Sequence, residues 1–188
     1  MATDRLDLRR FQPEDLDELA EVFAQVEVWR FPYGRGLTRD ETQEFLDSQI
    51  QHWNDLGFGC WIARRIDDGQ VIGYVGLSVP TFLPEILPAV EVGWRFAASA
   101  WGQGYATEGA AAALDEAFNT MELTGVCSLP QADNRPSVRV AERLGMRLLG
   151  EVTIPPNERR GELTALHYTI EHRDWLTLKK RRRRPRRT

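Results

Sequence analysis

The turn W-G-Q-G-Y-A-T at residues 101–107 is the segment of the sequence best suited to bind an anion. It follows a strand-like alternation and leads into a segment with helical spacing. Gly102 and Gly104 allow the backbone to approach a ligand without a Cβ in the way. Free N–H groups and the positive end of the helix dipole then favour a phosphate or pyrophosphate. A purely structural turn is the alternative interpretation of two glycines before a helix.

Two other segments carry side chains that could move protons or donate hydrogen bonds. Glu91 opens an alternating strand segment, where it could act as a base or could pair with Arg95 on the same face. Asn134 and Ser137 stand at the start of a predicted helix. Asn134 could cap this helix, and a hydroxyl in the first turn could face a bound ligand.

Several other kinds of site fit the sequence poorly. Cys60 and Cys127 stand on predicted strands without a neighbouring Cys or His pattern, which predicts no metal site and no covalent acyl-enzyme. We interpret the two cysteines as reduced, inert thiols of a cytoplasmic protein, and a single disulfide bridge is the alternative. The turn lacks the third glycine of GxGxxG and the GK[ST] of a Walker A loop. His52 and His167 are further candidate bases, although a structural role suits each of them better.

The elements that position these residues follow from hydrophobic spacing and capping signals. Pro13 opens a helix with acidic residues in its first turn, T-R-D-E at 38–41 fits a capping box, and D-D-G at 67–69 indicates a hairpin turn. The predicted strands cover residues 6–9, 60–66, 71–79, 90–96, 126–129, 147–154 and 163–170, and two later helices cover residues 107–121 and 136–144, with Gly145 as the stop signal.

This order of elements predicts a single α/β domain, of the mixed α+β kind, with flanking helices on a sheet of about seven strands. The domain is assigned to residues 1–178. Residues 179–188 form a basic tail in which like charges repel and nothing can be buried, so we expect disorder there.

Charge and composition exclude several classes of protein. The chain has 188 residues, 42 % hydrophobic and 28 % charged, as is typical of a globular protein. Residues 179–188 hold eight basic and no acidic side chains, so the rest carries 24 − 8 = 16 basic and 28 acidic ones, a net charge of −12. An acidic body does not suit nucleic acid, although the tail could contact RNA or ribosomes weakly through phosphates. No apolar run approaches a membrane span.

Several motifs together resemble the GNAT superfamily of acetyl-CoA-dependent N-acetyltransferases. They are E-V-G-W at 91–94, the glycine-rich turn, D-N-R-P-S at 133–137 with the helix after it, and L-H-Y-T-I at 166–170. The likeness spans about residues 3–176 and is greatest to the branch that acetylates the N-terminal amines of ribosomal proteins. The resemblance implies a mostly antiparallel sheet whose central strand pair is splayed to admit acetyl-CoA as co-substrate.

The resemblance also implies roles for individual residues. The pyrophosphate would be held by backbone N–H groups around Gln103, Gly104, Tyr105, Ala106 and Thr107, and the pantetheine arm would lie along Val92, Gly93 and Trp94. A backbone N–H near Trp94 would stabilise the oxyanion. Asn134 would contact the pantetheine arm, Ser137 the departing sulfur, and Glu91 would be the general base. A tyrosine that donates a proton in many relatives is replaced here by Ala141.

The acceptor is less well specified than the cofactor. The resemblance favours direct transfer to a primary amine in a ternary complex, foremost a protein N-terminus. The alternatives are a small amine, such as an aminoglycoside or polyamine, and a non-catalytic acyl-CoA-binding module tethered to RNA. The loops at residues 28–37 and 80–88 would flank the acceptor, where Trp29, Phe31, Tyr33, Phe82 and Leu87 either line a groove or cover the core. A monomer and a homodimer both fit.

Overall fold

The fold is described here from a computed structural model of the chain. It describes residues 1–183, with side chains through residue 181. The strands are β1 (Leu6–Arg9), β2 (Cys60–Arg65), β3 (Val71–Ser78), β4 (Glu91–Phe96), β5 (Gly125–Ser128), β6 (Arg147–Ile154) and β7 (Leu163–Glu171). The helices are α1 (Leu16–Phe23), the short α2 (Arg30–Tyr33), α3 (Arg39–Leu56), α4 (Tyr105–Asn119), α5 (Arg135–Arg143) and α6 (His172–Arg183).

The strands form one seven-stranded sheet in the order β1-β2-β3-β4-β5-β7-β6. Every neighbouring pair is antiparallel except β4 and β5, which run parallel. This confirms the predicted mixed, mostly antiparallel sheet of about seven strands with flanking helices.

The parallel pair at the centre of the sheet is splayed. β4 and β5 pair only at Glu91 and Cys127, where the Cys127 N–H also donates to the Val90 carbonyl at 2.9 Å. The register of β3 against β4 is unbroken along the whole strand, and Gly93 faces Gly76 within it. A Cβ at Gly93 would meet nothing within 4 Å. The opening therefore lies on the β5 side of β4, with no bulge at Gly93.

Two apolar layers cover the two faces of the sheet. On β2, Trp61 belongs to the cluster with α4, α5 and α6, whereas Ile62 belongs to the cluster with α1 and α3. Successive strand residues point to opposite faces, so a two-sided core follows directly from the strand's apolar composition. In the described part of the chain no helix is long and apolar enough to cross a membrane.

Local sequence signals place most elements correctly. Thr38 and Glu41 form the predicted capping box at the start of α3, Gly145 follows α5 with φ +82°, and Asn134 caps α5 through the Ser137 N–H. Strands β1 and β6 have the predicted bounds, and the other strands shift by one residue at one end or, for β5, at both ends.

The largest difference lies at the C-terminal end. Disorder is predicted from residue 179, but α6 continues through Arg183, so the boundary at residue 178 cuts through a helix. The physical reason is tertiary: Lys179 Nζ donates to both carboxylate oxygens of Asp115, at 2.6 and 2.8 Å. The buried indole of Trp175 donates to the same carboxylate at 2.8 Å. The rest of the predicted tail, residues 184–188, lies outside the described residues.

Candidate active site

A cavity of about 470 Å³ opens beside the end of β4. Four segments enclose it: residues 27–31, which lead into α2, the end of β4, the glycine-rich turn with the start of α4, and the exposed face of α5. The lining residues from these segments include Val28, Arg30, Phe31, Trp94, Arg95, Trp101, Gly102, Gly104, Tyr105, Ala106, Thr107, Asn134, Ser137, Arg139 and Arg143.

The glycine-rich turn has the backbone that its sequence predicts. Gly102 has φ +75° and Gly104 has φ +87°, a region that glycine occupies without strain. Gly104 is the N-terminal cap of α4 and offers no side chain to the first N–H groups of the helix. Those donors therefore remain available toward the cavity.

Arg5, just before β1, holds the turn in place from behind. Its Nη1 donates to the Gln103 carbonyl at 2.8 Å, and its guanidinium lies 4.6 Å from the centroid of the Tyr105 ring. Glu108, one turn into α4, pairs with Arg5 at 2.5 Å. Burial alone would raise the pKa of Glu108, but hydrogen bonds from the Thr3 hydroxyl and from Arg5 outweigh it and lower the pKa. The turn is thus braced by a residue about 100 positions away in sequence.

The start of α4 also contains a polar atom without a hydrogen-bonding partner. Thr107 Oγ1 is buried and has no partner among the described atoms, and Thr107 lines the cavity. An unpaired buried hydroxyl is costly unless a ligand or water meets it. Together with the free N–H groups, it fits a bound anion at the start of a 15-residue helix.

The cavity is more basic than the body around it. Arg30, Arg95, Arg139 and Arg143 line it, against the acidic Glu27 and Asp133. Arg139 and Arg143 stand one turn apart on α5, where side chains four residues apart share a face. A local excess of positive charge on an acidic protein suits a ligand with several phosphates.

Glu91 occupies the fork where β4 and β5 separate. It is partly buried, and its Oε1 accepts a hydrogen bond from the Leu129 N–H at 3.3 Å. Desolvation raises the pKa of Glu91 from 4.5 to about 7, although the Leu129 hydrogen bond opposes the shift. The predicted alternative, a pair with Arg95, is not formed, because the Arg95 guanidinium donates to the carbonyls of Val28 and Phe31.

The two cysteines near this fork are free and buried, so the alternative of a bridge is wrong. Burial raises the pKa of both thiols to about 12, and the nearby charge of Glu91 adds to the effect. Neither thiol is then a nucleophile near neutral pH.

Asn134 and Ser137 reach the cavity from the start of α5. Asn134 Oδ1 accepts from the Ser137 N–H at 3.3 Å, so the cap uses the serine backbone and leaves its hydroxyl for another role. Ala141, one turn further along, is fully buried. That position supplies no side-chain proton donor.

The remaining predicted residues divide by location. Trp94, Gly104, Tyr105, Ala106 and Thr107 line the cavity, whereas Glu91, Val92, Gly93 and Gln103 do not. Val92 is fully buried in the core. The Gln103 side chain donates to the Ser99 carbonyl at 2.9 Å.

Sequence reasoning missed several lining residues. Arg139 and Arg143 are spaced four apart after a cap residue, a signal that could have placed both on the ligand face of α5. For Trp101, the sequence favours packing of the loop against the body. Its indole N–H does donate to the Phe96 carbonyl at 2.8 Å, but the side chain is 49 % exposed and lines the cavity.

The aromatic residues of the two loops take both expected roles. Trp29 and Tyr33 pack into the core beside Phe23 and Phe45, whereas Phe31 lines the cavity, and Phe82 and Leu87 are each 40 % exposed.

The two candidate histidines lie apart from the cavity lining. His52 packs edge-on against Phe58 with ring centroids 5.4 Å apart, and burial lowers the pKa of both His52 and His167. Among the residues with described side chains, no group of three or more His, Cys, Asp or Glu could hold a metal ion.

A splayed central strand pair, a glycine-rich helix start and a basic cavity beside them form a site whose chemistry suits a phosphorylated ligand. Comparison with known proteins identifies the class: the model of the acetyltransferase (GNAT) domain matches residues 5–147. The chain belongs to the GNAT acetyltransferase family.

Relatives and solved structures agree with this assignment. The uncharacterized protein YkkB of Bacillus subtilis (strain 168) is 32 % identical over 147 residues, covering 78 % of this chain and 84 % of YkkB. The uncharacterized N-acetyltransferase YnaD of the same organism is 26 % identical over 153 residues, covering 80 % of this chain and 84 % of YnaD. The ribosomal-protein-S5-alanine acetyltransferase of Vibrio fischeri shares the fold, with a TM-score of 0.72 at 16 % identity over 93 % of this chain and 97 % of the other.

Proposed function

We propose that this GNAT acetyltransferase transfers the acetyl group of acetyl-CoA to a primary amine, and that the amine is a protein N-terminus. The observation that supports the cofactor is the start of α4, where free N–H groups, two left-handed glycines and the unpaired Thr107 hydroxyl meet a basic cavity. Acetyl-CoA supplies the activated thioester, and residues of this chain bind it, orient it and move the protons.

The residues around the cavity suit the parts of this ligand. Backbone N–H groups at residues 104–107 would hold the pyrophosphate, with Arg139 and Arg143 beside further phosphate oxygens. The pantetheine arm would lie along β4 in the opening toward β5, with Asn134 as a hydrogen-bonding partner. The N–H near Trp94 would stabilise the oxygen of the thioester as negative charge develops on it.

Two side chains would handle the protons. In the transfer, a C–N bond forms and the C–S bond breaks; the amine loses one proton and the sulfur gains one. Glu91, with a pKa of about 7, suits removal of the amine proton near neutral pH. Glu91 is not part of the cavity lining, so it would act through a water molecule. Ser137 would donate a hydrogen bond to the sulfur in place of the tyrosine that Ala141 replaces.

An acceptor with positive charge suits the rest of the molecule. The chain outside residues 179–188 has a net charge of −12, which steers cationic amines by long-range attraction. Phe31 at the cavity and the exposed Phe82 and Leu87 offer apolar contacts for the residues after a peptide N-terminus. The cytoplasm, where free thiols stay reduced, is the proposed location.

One experiment tests cofactor and acceptor together. The protein is incubated with labelled acetyl-CoA and cell extract, and labelled proteins and metabolites are identified by mass spectrometry, with thiol release measured in parallel. We expect labelled protein N-termini. Label on polyamines or aminoglycosides alone would reject the protein acceptor, and an absence of thiol release with every amine tested would reject the transferase proposal.

A further inference from the structure

One side chain of β4 holds the loop that forms the α2 wall of the cavity. Arg95 Nη1 donates to the carbonyl oxygens of Val28 and Phe31, the latter at 2.8 Å. Its guanidinium carbon lies 3.7 Å from the centroid of the Trp29 ring. The opposite end of the loop joins the same stack, since Trp29 and Tyr33 are stacked with centroids 5.4 Å apart.

Arg95 lies on β4, whose pairing with β3 has no bulge. It pairs with Tyr74 in the unbroken register of β3 and β4, and it follows Trp94, the residue whose N–H is proposed to face the reacting oxygen. Val28, Phe31 and Arg95 all line the cavity. Arg95 therefore links the loop directly to the strand that carries the proposed reaction centre.

The contacts of Arg95 are unusual for a partly buried cation. The ion pairs among the described residues do not include it. It contacts two backbone carbonyls, the Trp29 ring and the Tyr74 side chain instead. Arg95 Nε and Trp29 Nε1 are both buried without a partner among the described atoms. Unpaired buried donors reduce stability. The contact between Arg95 and Trp29 includes two such unpaired donors, so a role in function explains it better than stability alone.

We propose that Arg95 is a positioning residue that fixes the acceptor side of the cavity relative to β4. The planar guanidinium holds two carbonyls in a fixed geometry, which a lysine ammonium on a flexible stem does not reproduce. The loop it holds carries Phe31 at the cavity, where Phe31 is proposed to contact the acceptor. Acceptor binding therefore depends on the geometry of Arg95. Acetyl-CoA binding depends only on the charge that Arg95 adds to the cavity, which Arg95→Lys keeps. The effect of Arg95 on acceptor binding rests on the proposed function.

The test uses Arg95→Lys with Arg64→Lys as the matched control. Arg64 is also a strand arginine with several partners, pairing with Glu18 and donating to the Gly69 carbonyl at 2.9 Å. It is not among the residues of the cavity wall. Both changes keep the charge, so any general loss of stability appears in the control as well.

The first measurement needs no activity. Native protein is exposed to trypsin, and cleavage after Arg30 and Arg35 is followed by mass spectrometry. A loosened loop opens more often, and we expect cleavage about tenfold faster in Arg95→Lys and within about twofold of the parent in Arg64→Lys. Equal protection of the loop in both variants would overturn the proposal.

The second measurement uses a short peptide that begins with alanine as acceptor. In Arg95→Lys we expect its KM to rise about tenfold, with kcat and the acetyl-CoA thermal shift close to the parent. A rise in the KM for acetyl-CoA without one for the peptide would overturn the role assigned to Arg95. If the parent itself transfers nothing, the proposed function fails, and the proteolysis result still decides whether Arg95 holds the loop.

Discussion

Glu91, the proposed general base, carries an energetic cost. Its carboxylate lies at the fork of β4 and β5, where the Leu129 backbone N–H donates a hydrogen bond to it. Burial there raises the pKa of Glu91 to about 7, a value that suits a base near neutral pH. The same desolvation disfavours the ionised form in the folded protein, so activity and stability depend on pH in linked ways.

Replacing Glu91 with Gln keeps the shape of the side chain and removes its basicity. We expect the rate to fall most near neutral pH and to recover partly at high pH, where the free amine appears without help. The pH profile of kcat/KM measures this, with Glu85→Gln in the loop at residues 80–88 as a control. A profile identical to that of the parent would show that Glu91 is not the base.

The same variant has a predicted effect on stability. A carboxyl whose pKa is raised by folding contributes stability below the unfolded value and loses it as pH rises through the folded value. The window is therefore from pH 4.5 to about 7. Above it, Glu91→Gln is expected to be more stable than the parent by up to roughly 3 kcal/mol, and near pH 4 no more stable. Urea unfolding of variant and parent at pH 4 and pH 8 measures this. A stability difference between the two proteins that is the same at both pH values would contradict the burial of Glu91.

Ser137 can be tested without disturbing the helix cap. Its backbone N–H, not its hydroxyl, meets Asn134, so Ser137→Ala should leave the melting temperature nearly unchanged. We expect turnover to fall by roughly ten- to a hundredfold with acetyl-CoA binding intact. Ser48→Ala, on the exposed side of α3, is the control. Undiminished turnover in Ser137→Ala would remove the serine from the proton-transfer step.

At the scale of elements, the start of α4 is the structural unit that binds the phosphates in the proposal. It depends on two glycines with positive φ, on the brace from Arg5 and on the absence of a side-chain cap. Each feature leaves donors directed at the cavity. The helix start as a whole, more than any one side chain, therefore forms the predicted anion site.

Gly104→Val tests this helix start. Acetyl-CoA at ~100 times its Kd should stabilise the parent by about 2.7 kcal/mol, and the variant should lose that thermal shift because a β-branched residue strains φ +87°. Gly69→Val is a matched control, since Gly69 has φ +71° in the β2–β3 turn and open space around it. It carries similar strain but should keep the full shift. An undiminished shift in Gly104→Val would disprove the phosphate assignment.

At the scale of the whole molecule, charge is separated between body and C-terminus. The acidic body suits a cationic acceptor, while the basic C-terminal segment begins on α6, which Trp175 and Lys179 tie to Asp115 of α4. Lys179 thus belongs to the fold. We propose that the other basic residues of the segment, 8 − 1 = 7 of them, contact RNA phosphates.

Deleting residues 180–188 removes these seven basic residues and retains the Lys179 ion pair. We expect peptide acetylation to stay within about twofold, whereas binding to single-stranded RNA weakens and its salt dependence becomes shallower. The slope should fall by ~0.7 for each RNA phosphate that the shortened chain no longer neutralises. Fluorescence anisotropy over a range of salt concentrations measures this. RNA binding equal to that of the full chain would leave the basic segment without the proposed role.

The sequence by itself determined the seven strands, four of the helices and the glycine-rich turn. Alternation in β1, the capping box at Thr38 and the cap at Asn134 act over a few residues, so local chemistry was enough to predict them. The glycine-rich turn was predicted for the same reason, because left-handed φ values demand glycine wherever the turn lies in the fold.

Only the tertiary structure decided which residues meet. The loop held by Arg95, the brace of Arg5 on Gln103 and the attachment of Lys179 to Asp115 join residues more than 60 positions apart. The raised pKa of Glu91 depends on burial at a fork between two strands, which no local pattern encodes. These features arise when separate elements pack together, and packing depends on the whole chain at once.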